Sequence, residues 1–387
     1  MFSASDTQYM ALALQSAEKG LYTTQPNPRV GCVLVKDGRI IGQGWHEQAG
    51  AGHAEINALR DAAGGNADIS GVAKGATAYV TLEPCSHHGK TPPCCEALLA
   101  AGVTKVVAAM EDPNPLVSGK GLALLKQHGV TTKCGLLEAE ARALNPGFIS
   151  RMTTKRPFVR SKMAISLDGR TAMASGESKW ITGPAARADV QRWRARSDAI
   201  VMGVDTVLAD NPSMTVRLED WSGDKPASWQ TNADIKQPIR VVLDSKLRLP
   251  KDAKMLGLPG ETWVFTAETP AHAQCKILQA AGAKVISMPV KDQTLDLAAV
   301  LTVLAQAEIN EVLVESGATL SGAFVQAGLL DEQIIYLAAK LMGNQARPLY
   351  NLPGVERMEQ SLALDIKDIR QVGDDIRLLL TSSPKRL

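Results

Sequence analysis

Short apolar runs alternate with segments of helical periodicity along the first half of the chain. The runs RVGCVLV and RIIGQGW flank the turn KDG and predict a β-hairpin. Apolar residues between Tyr9 and Ala17 recur on one face of a predicted first helix, with Asp6 as its candidate N-cap. The other predicted strands are GATAYVTLE, VTKVVAAM and VTTKCG, and the helices that alternate with them are HAEINALRDAA, CCEALLAAG and GKGLALLKQHG. This alternation predicts an α/β sandwich whose sheet is largely parallel after the hairpin.

The pattern breaks at ALNPGFISRMTTKRP, residues 143–157, which carries two prolines and a glycine. We therefore predict two domains, 1–147 and 148–387. The second domain begins at FVRSKMAISLDGRTA and is again α/β. Its later strands are predicted at AIVMG, IRVVLD, TWVFT, KVISM and EVLVES, followed by a late antiparallel element, EQIIYLAAKLMG, and a final strand, DIRLLLTSS. The polar segment 219–237 is interpreted as a surface insertion.

Composition narrows the class of protein. The 387 residues are 45% hydrophobic and 21% charged, as in an ordinary globular protein. The 42 basic and 40 acidic residues give a net charge of +2, which does not favour a nucleic-acid partner. The first residues lack the pattern of a signal peptide, and no apolar run has the length of a membrane span. We expect a cytoplasmic homo-oligomer whose ligands are small molecules.

Three of the six cysteines lie within eleven positions, at Cys85, Cys94 and Cys95. In a cytoplasmic chain such a cluster predicts a metal site more than disulfides. Zinc prefers nitrogen and sulfur ligands, and a catalytic zinc keeps three protein ligands and an open fourth position. His53, Cys85 and Cys94 supply such a set. Cys95 is also a thiol, and the residue types alone do not choose between Cys94 and Cys95.

Glu55 follows His53 by two residues, too close for both to bind one metal from one helix face. We predict that it faces the water on the zinc instead. This is the role of the non-ligand glutamate in zinc deaminases, whose signature is H-x-E followed by P-C-x-x-C. Glu55 would take a proton from the attacking water and deliver it to the leaving ammonia.

The second cysteine comes nine residues after the first, not three as in the generic signature. This longer spacing, with the stretches PNPRVGCVLV, HAEINAL and TLEPCSHHGKTPPC, resembles the deaminase half of the bifunctional riboflavin-biosynthesis deaminase/reductases. The resemblance extends over essentially the whole chain. Its T-P-P-C end implies that Cys94 is the ligand and that Cys95 packs beneath the helix. The resemblance also implies a cytidine-deaminase-like α/β/α sandwich that acts on a diaminopyrimidinone ribosylamine 5′-phosphate. The positions that match the family's substrate contacts are Asn27, His46, His87, Lys90 and Asn114.

The second half carries no G-x-G-x-x-G after a strand, so a Rossmann fingerprint is absent. The stretches KMAISLDGRTA, SGESKWITG, VMGVDTVLADNPSMTVR and VESGATLSG resemble the reductase half of the same family, which implies a dihydrofolate-reductase-like α/β fold. By that resemblance the NADPH contacts are Ala164, Trp180, Thr206, Asp210, Ser245, Gly317, Ala318, Thr319, Leu320, Ser321, Gly322 and Ala323. The substrate contacts are Ser178, Arg194, Met214, Arg217 and Glu315.

The chemistry of these residues fits the implied reaction, a hydride transfer from NADPH that opens the ribosyl group to ribityl. We expect Arg194 and Arg217 to hold the 5′-phosphate by forked hydrogen bonds. Glu315 is expected to bind sugar hydroxyls, and Lys162 is a candidate polar group near the hydride acceptor. Methionine at position 214 replaces an expected leucine, which is a volume-conserving exchange.

Two other hypotheses compete. The first is a zinc deaminase of nucleic-acid bases with an accessory RNA-binding domain, which the lack of a basic stripe disfavours. The second is a non-enzymatic protein whose zinc is structural. That reading requires a fourth ligand, for which Cys95 and His87 are the candidates.

Overall fold

A computed structural model describes residues 1–86, 93–115, 117–291 and 293–382 of the chain. The chain divides into two compact units, Met1–Lys155 and Arg156–Leu387. No helix among the described residues is both long and apolar enough to cross a membrane. His87 and Lys90, two of the predicted substrate contacts, lie outside the described residues.

The first unit is a five-stranded sheet with helices on both faces. Its strands are β1 (Gly31–Lys36), β2 (Arg39–Trp45), β3 (Thr77–Val80), β4 (Lys105–Ala108) and β5 (Thr131–Cys134). Its helices are α1 (Ala4–Glu18), α2 (Ala54–Ala62), α3 (Cys94–Ala100), α4 (Lys120–Gln127), α5 (Glu138–Leu144) and α6 (Pro146–Thr154). The strand order is β2-β1-β3-β4-β5. Strand β1 is antiparallel to β2 and β3, whereas β3, β4 and β5 are parallel. The predicted hairpin and parallel sheet are confirmed.

Alternate residues of β1 enter two different cores, which explains why the sheet needs helices on both faces. Val33 packs with Met10 of α1 on one side. Leu34 packs with Ala58 of α2 on the other side. A strand buried on both faces has a continuous apolar sequence, as GCVLV does.

The N-cap of the first helix lies three residues before the predicted one. Ser3 is the N-cap, and its hydroxyl accepts from the backbone N–H of Asp6. The Asp6 carboxylate accepts from the Ser3 N–H in return, which makes a capping box. Asp6 as N-cap was therefore wrong, since serine three residues earlier offers the same chemistry. Asp6 also bonds Tyr79 and Lys105, which anchors α1 to β3 and β4.

The stretch interpreted as a break in the pattern contains helix α6, with Pro146 in its first turn. Proline suits this position, because the first helical N–H groups have no partner within the helix. Phe148 of α6 is buried, and Ile149 packs against the core between α1 and the sheet. The first unit consequently continues to Lys155, beyond the predicted boundary at residue 147.

The second unit is built on a nine-stranded sheet. The strands of the whole unit are β6 (Phe158–Ser166), β7 (Arg170–Ala172), β8 (Ala199–Gly203), β9 (Ile239–Leu243), β10 (Thr262–Thr266), β11 (Ala283–Ser287), β12 (Val290–Lys291), β13 (Thr294–Leu295), β14 (Glu311–Val314), β15 (Glu332–Ala338), β16 (Arg347–Pro348), β17 (Leu364–Val372) and β18 (Asp375–Ser382). Its helices are α7 (Pro184–Arg196), α8 (Val204–Asp210), α9 (Ala273–Ala280), α10 (Leu297–Gln306) and α11 (Ala318–Gln326).

The order of the large sheet is β11-β10-β9-β8-β14-β6-β15-β18-β17, while β12–β13 and β7–β16 form small separate pairs. All neighbouring strands from β11 to β15 in this order run parallel. The pairs β15–β18 and β18–β17 are antiparallel. The prediction of an antiparallel β15 was thus wrong for its contact with β6. The predicted final strand is confirmed as β18, and the sequence pattern did not indicate β17.

Helix α2 lies unusually close to the sheet because β2 presents glycines to it. A Cβ atom on Gly42 would lie 2.2 Å from the Ala58 carbonyl oxygen, and one on Gly44 would lie 2.3 Å from the Ala58 nitrogen. Real side chains do not reach such distances, so the helix backbone rests directly on the strand. This contact fixes the height of α2 above the sheet.

We predict that Gly44→Ala lowers the free energy of unfolding of the first unit by about 1–3 kcal/mol, since the methyl group must push α2 outward. Calorimetry of the full chain measures this as a lower transition temperature of that unit. Gly257→Ala is the control, because a Cβ there meets no atom within 4 Å and its φ is not positive. Equal transitions in both variants would contradict the close packing of α2.

Candidate active sites

Three predicted metal ligands meet at one point of the first unit. His53 is the N-cap residue of α2, Cys85 lies in the loop after β3, and Cys94 begins α3. Their ligand atoms all lie within 4.8 Å of one another. The His53 Nδ1 is 3.2 Å from the Cys94 Sγ and 3.6 Å from the Cys85 Sγ. Among the described residues this is the one group of metal-ligating side chains so arranged.

The electrostatics of the two thiols favour a divalent cation. Hydrogen bonding with Cys94 lowers the pKa of Cys85 to about 4, and His53 contributes in the same direction. The backbone N–H of Cys94 also donates to the Cys85 Sγ, at 3.3 Å. The same thiol contact, together with burial, raises the pKa of Cys94. One thiolate is therefore present near neutral pH, and a bound cation would displace the remaining proton.

The set of one imidazole and two thiolates fits zinc, with a fourth position left for another ligand. Cys95 does not supply that ligand. Its Sγ contacts the carbonyl oxygens of Pro84 and Gly121, at 3.3 and 3.5 Å, and burial raises its pKa to about 12. It packs beneath α3 as a neutral thiol.

Glu55 lies in the first turn of α2, beside the metal ligands, with only 3% of its surface exposed. Burial raises its pKa to about 7, and the nearby Cys85 thiolate adds to the effect. The carboxyl also contacts the Cys94 thiol. A carboxyl group in this environment exchanges its proton readily near neutral pH, as a general acid and base must.

Two of the predicted substrate contacts form a chain that ends at the metal site. The Asn27 Nδ2 lies 3.1 Å from the His46 Nε2, and the His46 Nδ1 lies 3.0 Å from the Gly52 carbonyl oxygen. The Nδ1 must donate to that carbonyl, so the Nε2 accepts from Asn27. Burial lowers the pKa of His46, which keeps the ring neutral. The ring packs edge-on against His53, with centroids 5.5 Å apart.

His46 is thus buried, with both ring nitrogens engaged, and acts on Asn27 and His53 more than on a ligand. Asn114 is half-buried in the loop after β4. Its backbone N–H donates to the Asp112 carboxylate at 2.8 Å. Because β3 and β4 are parallel, the loops that follow them emerge at the same edge of the sheet as Cys85.

The second unit contains a cavity of about 1050 Å³ beside the carboxyl ends of β8, β9 and β14. Most of the residues predicted from the second half line it. They are Lys162, Ala164, Ser178, Trp180, Arg194, Thr206, Asp210, Met214, Arg217, Ser245, Glu315, Gly317, Ala318, Thr319, Leu320 and Ala323. A cavity of this size accommodates a dinucleotide with a second ligand beside it.

Ser321 and Gly322 are exceptions, because they lie on the inner side of α11. The Ser321 hydroxyl is 3.4 Å from the Met163 sulfur, and the residue is fully buried. A Cβ on Gly322 would lie 2.2 Å from the Asn351 carbonyl oxygen. Packing against residue 351 accounts for this glycine, and neither residue is among those that line the cavity.

Arg194 and Glu315 form a bidentate ion pair in the wall of the cavity. The Nε–Oε1 distance is 2.6 Å and the Nη2–Oε2 distance is 2.9 Å. The remaining Nη1 donates to the Thr215 carbonyl at 3.1 Å. A carboxylate occupies the fork of Arg194 in this structure, and the contact of Arg194 with the 5′-phosphate stays a prediction. Burial lowers the pKa of Lys162, which lies near both charges.

Arg217 is more accessible than Arg194. Its Nε donates to Asp220 at 2.7 Å, and about a third of its side chain is exposed. Asp220 belongs to the polar segment interpreted as an insertion, and it also lines the cavity. Sequence reasoning did not identify Asp220, since nothing in the segment marks it.

Arg187 and Gln191 of α7 also line the cavity and were missed. The Arg187 guanidinium lies 4.4 Å above the centre of the Trp180 ring and donates to the Thr182 carbonyl. Helical spacing was an available indication, because residues 187, 191 and 194 share a face of α7. Once Arg194 is placed in the site, the other two follow.

We predict that the purified chain retains one zinc ion, and that Cys85→Ser and Cys94→Ser each remove it, because serine does not supply a thiolate. Elemental analysis after dialysis measures the zinc content. Cys95→Ser is the matched control, since it changes the adjacent thiol, which faces two carbonyls. If Cys95→Ser lost its zinc and Cys94→Ser kept it, Cys95 would be the zinc ligand and the assignment to Cys94 would be wrong.

Known proteins resemble the chain over its full length. The family model of the cytidine and deoxycytidylate deaminase zinc-binding region matches residues 3–110, and that of the RibD C-terminal domain matches 157–378. The chain is 48% identical to riboflavin biosynthesis protein RibD of Escherichia coli K12, over 98% of this chain and 100% of that protein. Identity to the Haemophilus influenzae RibD is 45%, over 98% of each.

Solved structures agree. Acinetobacter baumannii RibD, form 1, aligns with a TM-score of 0.88 at 46% identity, over 98% of this chain and 99% of that one. The diaminohydroxyphosphoribosylaminopyrimidine deaminase/5-amino-6-(5-phosphoribosylamino)uracil reductase of Thermotoga maritima aligns with a TM-score of 0.83 at 32% identity, over 98% and 99%. These findings do not favour a deaminase of nucleic-acid bases. The chain belongs to the RibD family of bifunctional riboflavin-biosynthesis enzymes, in which a zinc-dependent deaminase domain precedes a reductase domain.

Proposed function

We propose that His53, Cys85 and Cys94 hold the zinc of the deaminase and that Glu55 moves its protons. The meeting of these three ligands beside a buried carboxyl group is the observation that carries the proposal. When bound, zinc makes a water molecule nucleophilic at neutral pH. Glu55 takes a proton as the water oxygen bonds to the amine-bearing ring carbon. It then protonates the amino group, which leaves as ammonia and gives a ring carbonyl.

The substrate of this first reaction is 2,5-diamino-6-(5-phosphoribosylamino)pyrimidin-4-one. Asn27 is our candidate for a direct contact, because His46 fixes the orientation of its amide. Asn114 is proposed as a second contact, from the loop after β4. His87 and Lys90 complete the proposal, although they lie outside the described residues.

In the second unit we propose that NADPH lies along the start of α11, from the N-cap Gly317 to Ala323, with Trp180, Thr206, Asp210, Ala164 and Ser245 around it. The N-cap position of Gly317 supports this, because backbone N–H groups at a helix start suit a phosphate. Ser321 and Gly322 would shape the helix from beneath. When bound, NADPH would supply a hydride for C1′ of the ribosyl group, whose bond to the ring oxygen breaks as that oxygen takes a proton, which gives the ribityl chain.

The substrate of the reductase is proposed to lie between Ser178, Met214, Arg217 and the Arg194–Glu315 pair. The Glu315 oxygens have lone pairs beyond those taken by Arg194, and these can accept from sugar hydroxyls. Arg194 then serves to orient Glu315. Arg217 is the candidate for the 5′-phosphate, since its exposed partner Asp220 can be exchanged for a phosphate.

We also propose that the protein works in the cytoplasm as a homo-oligomer, without a nucleic-acid or membrane partner. Strand β17 at the edge of the large sheet supports a second copy as its neighbour. Ile366 and Ile369 on this strand are 60% and 58% exposed. In an antiparallel pair of two copies centred on Ile369, Asp368 of each copy would face Arg370 of the other.

Glu55→Gln tests the deaminase assignment. We expect ammonia release to fall by about 10²- to 10⁴-fold, because the amide does not accept or deliver the proton. NADPH oxidation with the deaminated substrate should be unchanged, which serves as the control for folding. Zinc content should also be unchanged. Ammonia release at the unaltered rate, from a protein that holds its zinc, would remove Glu55 from the mechanism.

Arg217→Gln tests the phosphate assignment in the reductase. We expect KM for the phosphorylated substrate to rise by about tenfold or more, because a charge-assisted contact is lost. KM for the dephosphorylated analogue should stay the same. Arg357→Gln is the control, since Arg357 is exposed and pairs with Glu359 outside the cavity. An equal rise in KM for both substrates would show that Arg217 does not bind the phosphate.

A further inference from the structure

A buried carboxylate that the proposed mechanism does not use lies two residues before the zinc ligand Cys85. Glu83 is 3% exposed, and its backbone N–H pairs with the Met110 carbonyl at the end of β4. A carboxylate buried this deeply must be satisfied by hydrogen bonds.

Four backbone N–H groups supply them. Glu83 Oε2 accepts from Asp112 at 3.1 Å and from Gly119 at 2.8 Å. Glu83 Oε1 accepts from Gly121 at 2.8 Å and from Leu122 at 3.2 Å. Asp112 and Gly119 belong to the segment between β4 and α4, and Gly121 and Leu122 belong to the first turn of α4. One side chain therefore holds both ends of that segment.

The segment carries Asn114, whose backbone N–H donates to the Asp112 carboxylate. The Asn114 carbonyl in turn accepts from Val117 and Ser118, which makes residues 112–115 and 117–121 a compact turn. The Glu83 carboxylate fixes where this turn begins, at Asp112, and where α4 starts, beside Gly119.

The same side chain ties the turn to the zinc ligands. Pro84 separates Glu83 from Cys85, and a Cβ on Gly121 would lie 2.0 Å from the Pro84 carbonyl oxygen. The start of α4 therefore lies directly on the peptide that leads into Cys85. The buried Cys95 thiol contacts both Pro84 and Gly121, which closes the packing from the other side.

We infer that Glu83 is a positioning residue of the deaminase, which fixes the turn that carries Asn114 relative to the loop that carries Cys85. Substrate bound through Asn114 is thereby aligned with the metal ligands. The inference rests on the proposed substrate contact of Asn114. It assigns Glu83 no proton transfer and no metal contact.

Glu83→Gln is the first test. The amide has the same shape, but its NH2 group faces backbone N–H groups that need an acceptor. We expect KM for deamination to rise by about tenfold or more with a smaller change in kcat, since a contact made equally in ground and transition states is displaced. The zinc content and the rate at which NADPH reduces the deaminated substrate should not change. Glu111→Gln is the matched control, because it removes an exposed carboxylate from the same stretch of chain.

A double-mutant cycle with Asn114→Ala tests whether Glu83 acts through Asn114. We expect the double variant to have about the KM of Asn114→Ala alone, because the two changes remove one interaction. Multiplicative effects would overturn the inference, and so would loss of zinc or an unchanged KM in Glu83→Gln. If Asn114→Ala leaves KM unaltered, the proposed substrate contact fails instead. Should Glu83→Gln not fold, Glu83→Asp keeps the charge with a shorter reach, and a smaller rise in KM is expected from it.

Discussion

The deaminase site depends on the direct contact between helix α2 and strand β2. His53 and Glu55, at the start of α2, must meet the thiols of Cys85 and Cys94, which come later in the chain. The glycines of β2 bring the helix backbone against the strand, with no side chain between them. Glu55 is consequently pressed into the interior, where burial raises its pKa to about 7. The position of His53, a proposed metal ligand, and the burial of Glu55 therefore have one structural cause.

Strand β14 illustrates how the second unit separates stability from chemistry. Glu311 at its beginning accepts from Arg160 and Arg196 in a buried cluster, with Glu332 also paired to Arg160. Glu315, just past its end, pairs with Arg194 in the wall of the cavity. Both carboxylates are buried in ion pairs. Glu311 is shared by two arginines, and Glu315 makes a bidentate pair with one. Only the second lies at the carboxyl end of the parallel sheet, where the crossing connections leave room for a ligand.

Local sequence predicted those elements whose pattern is set by neighbours in the chain. The hairpin turn was readable because Asp37 and Gly38 tolerate positive φ, which both adopt. His53, Cys85 and Cys94 were readable because zinc chemistry restricts the residue types and their order. Helix α6 was not, since Pro146 looks like a break unless the helix is known to start there. Strand β17 was missed because its apolar residues do not alternate regularly with polar ones, and Leu364, Ile366 and Ile369 are exposed.

The sequence did not predict which residues far apart along the chain contact each other. The resemblance placed Arg194 and Glu315 in one site, but only the structure shows that they bind each other. Ser321 and Gly322 belong to a run that matches a cofactor-binding segment. The helical period nonetheless turns them away from the cavity, toward Met163 and the backbone at residue 351. A run of matching residues marks a helix start well, and it does not distinguish the faces of the helix.

The polar segment 219–237 gains a role from the same kind of contact. Its Trp229 is buried and packs edge-on against Trp221, and Lys225 donates to the Trp229 carbonyl, so the segment has a small core of its own. It is tied to the rest of the unit through Asn232, which accepts from the Leu218 N–H. Asp220 extends from this fixed frame to Arg217. A carboxylate held beside an accessible arginine keeps that side chain at the wall of the cavity. The segment thereby shapes the end of the cavity at which we propose that the 5′-phosphate binds.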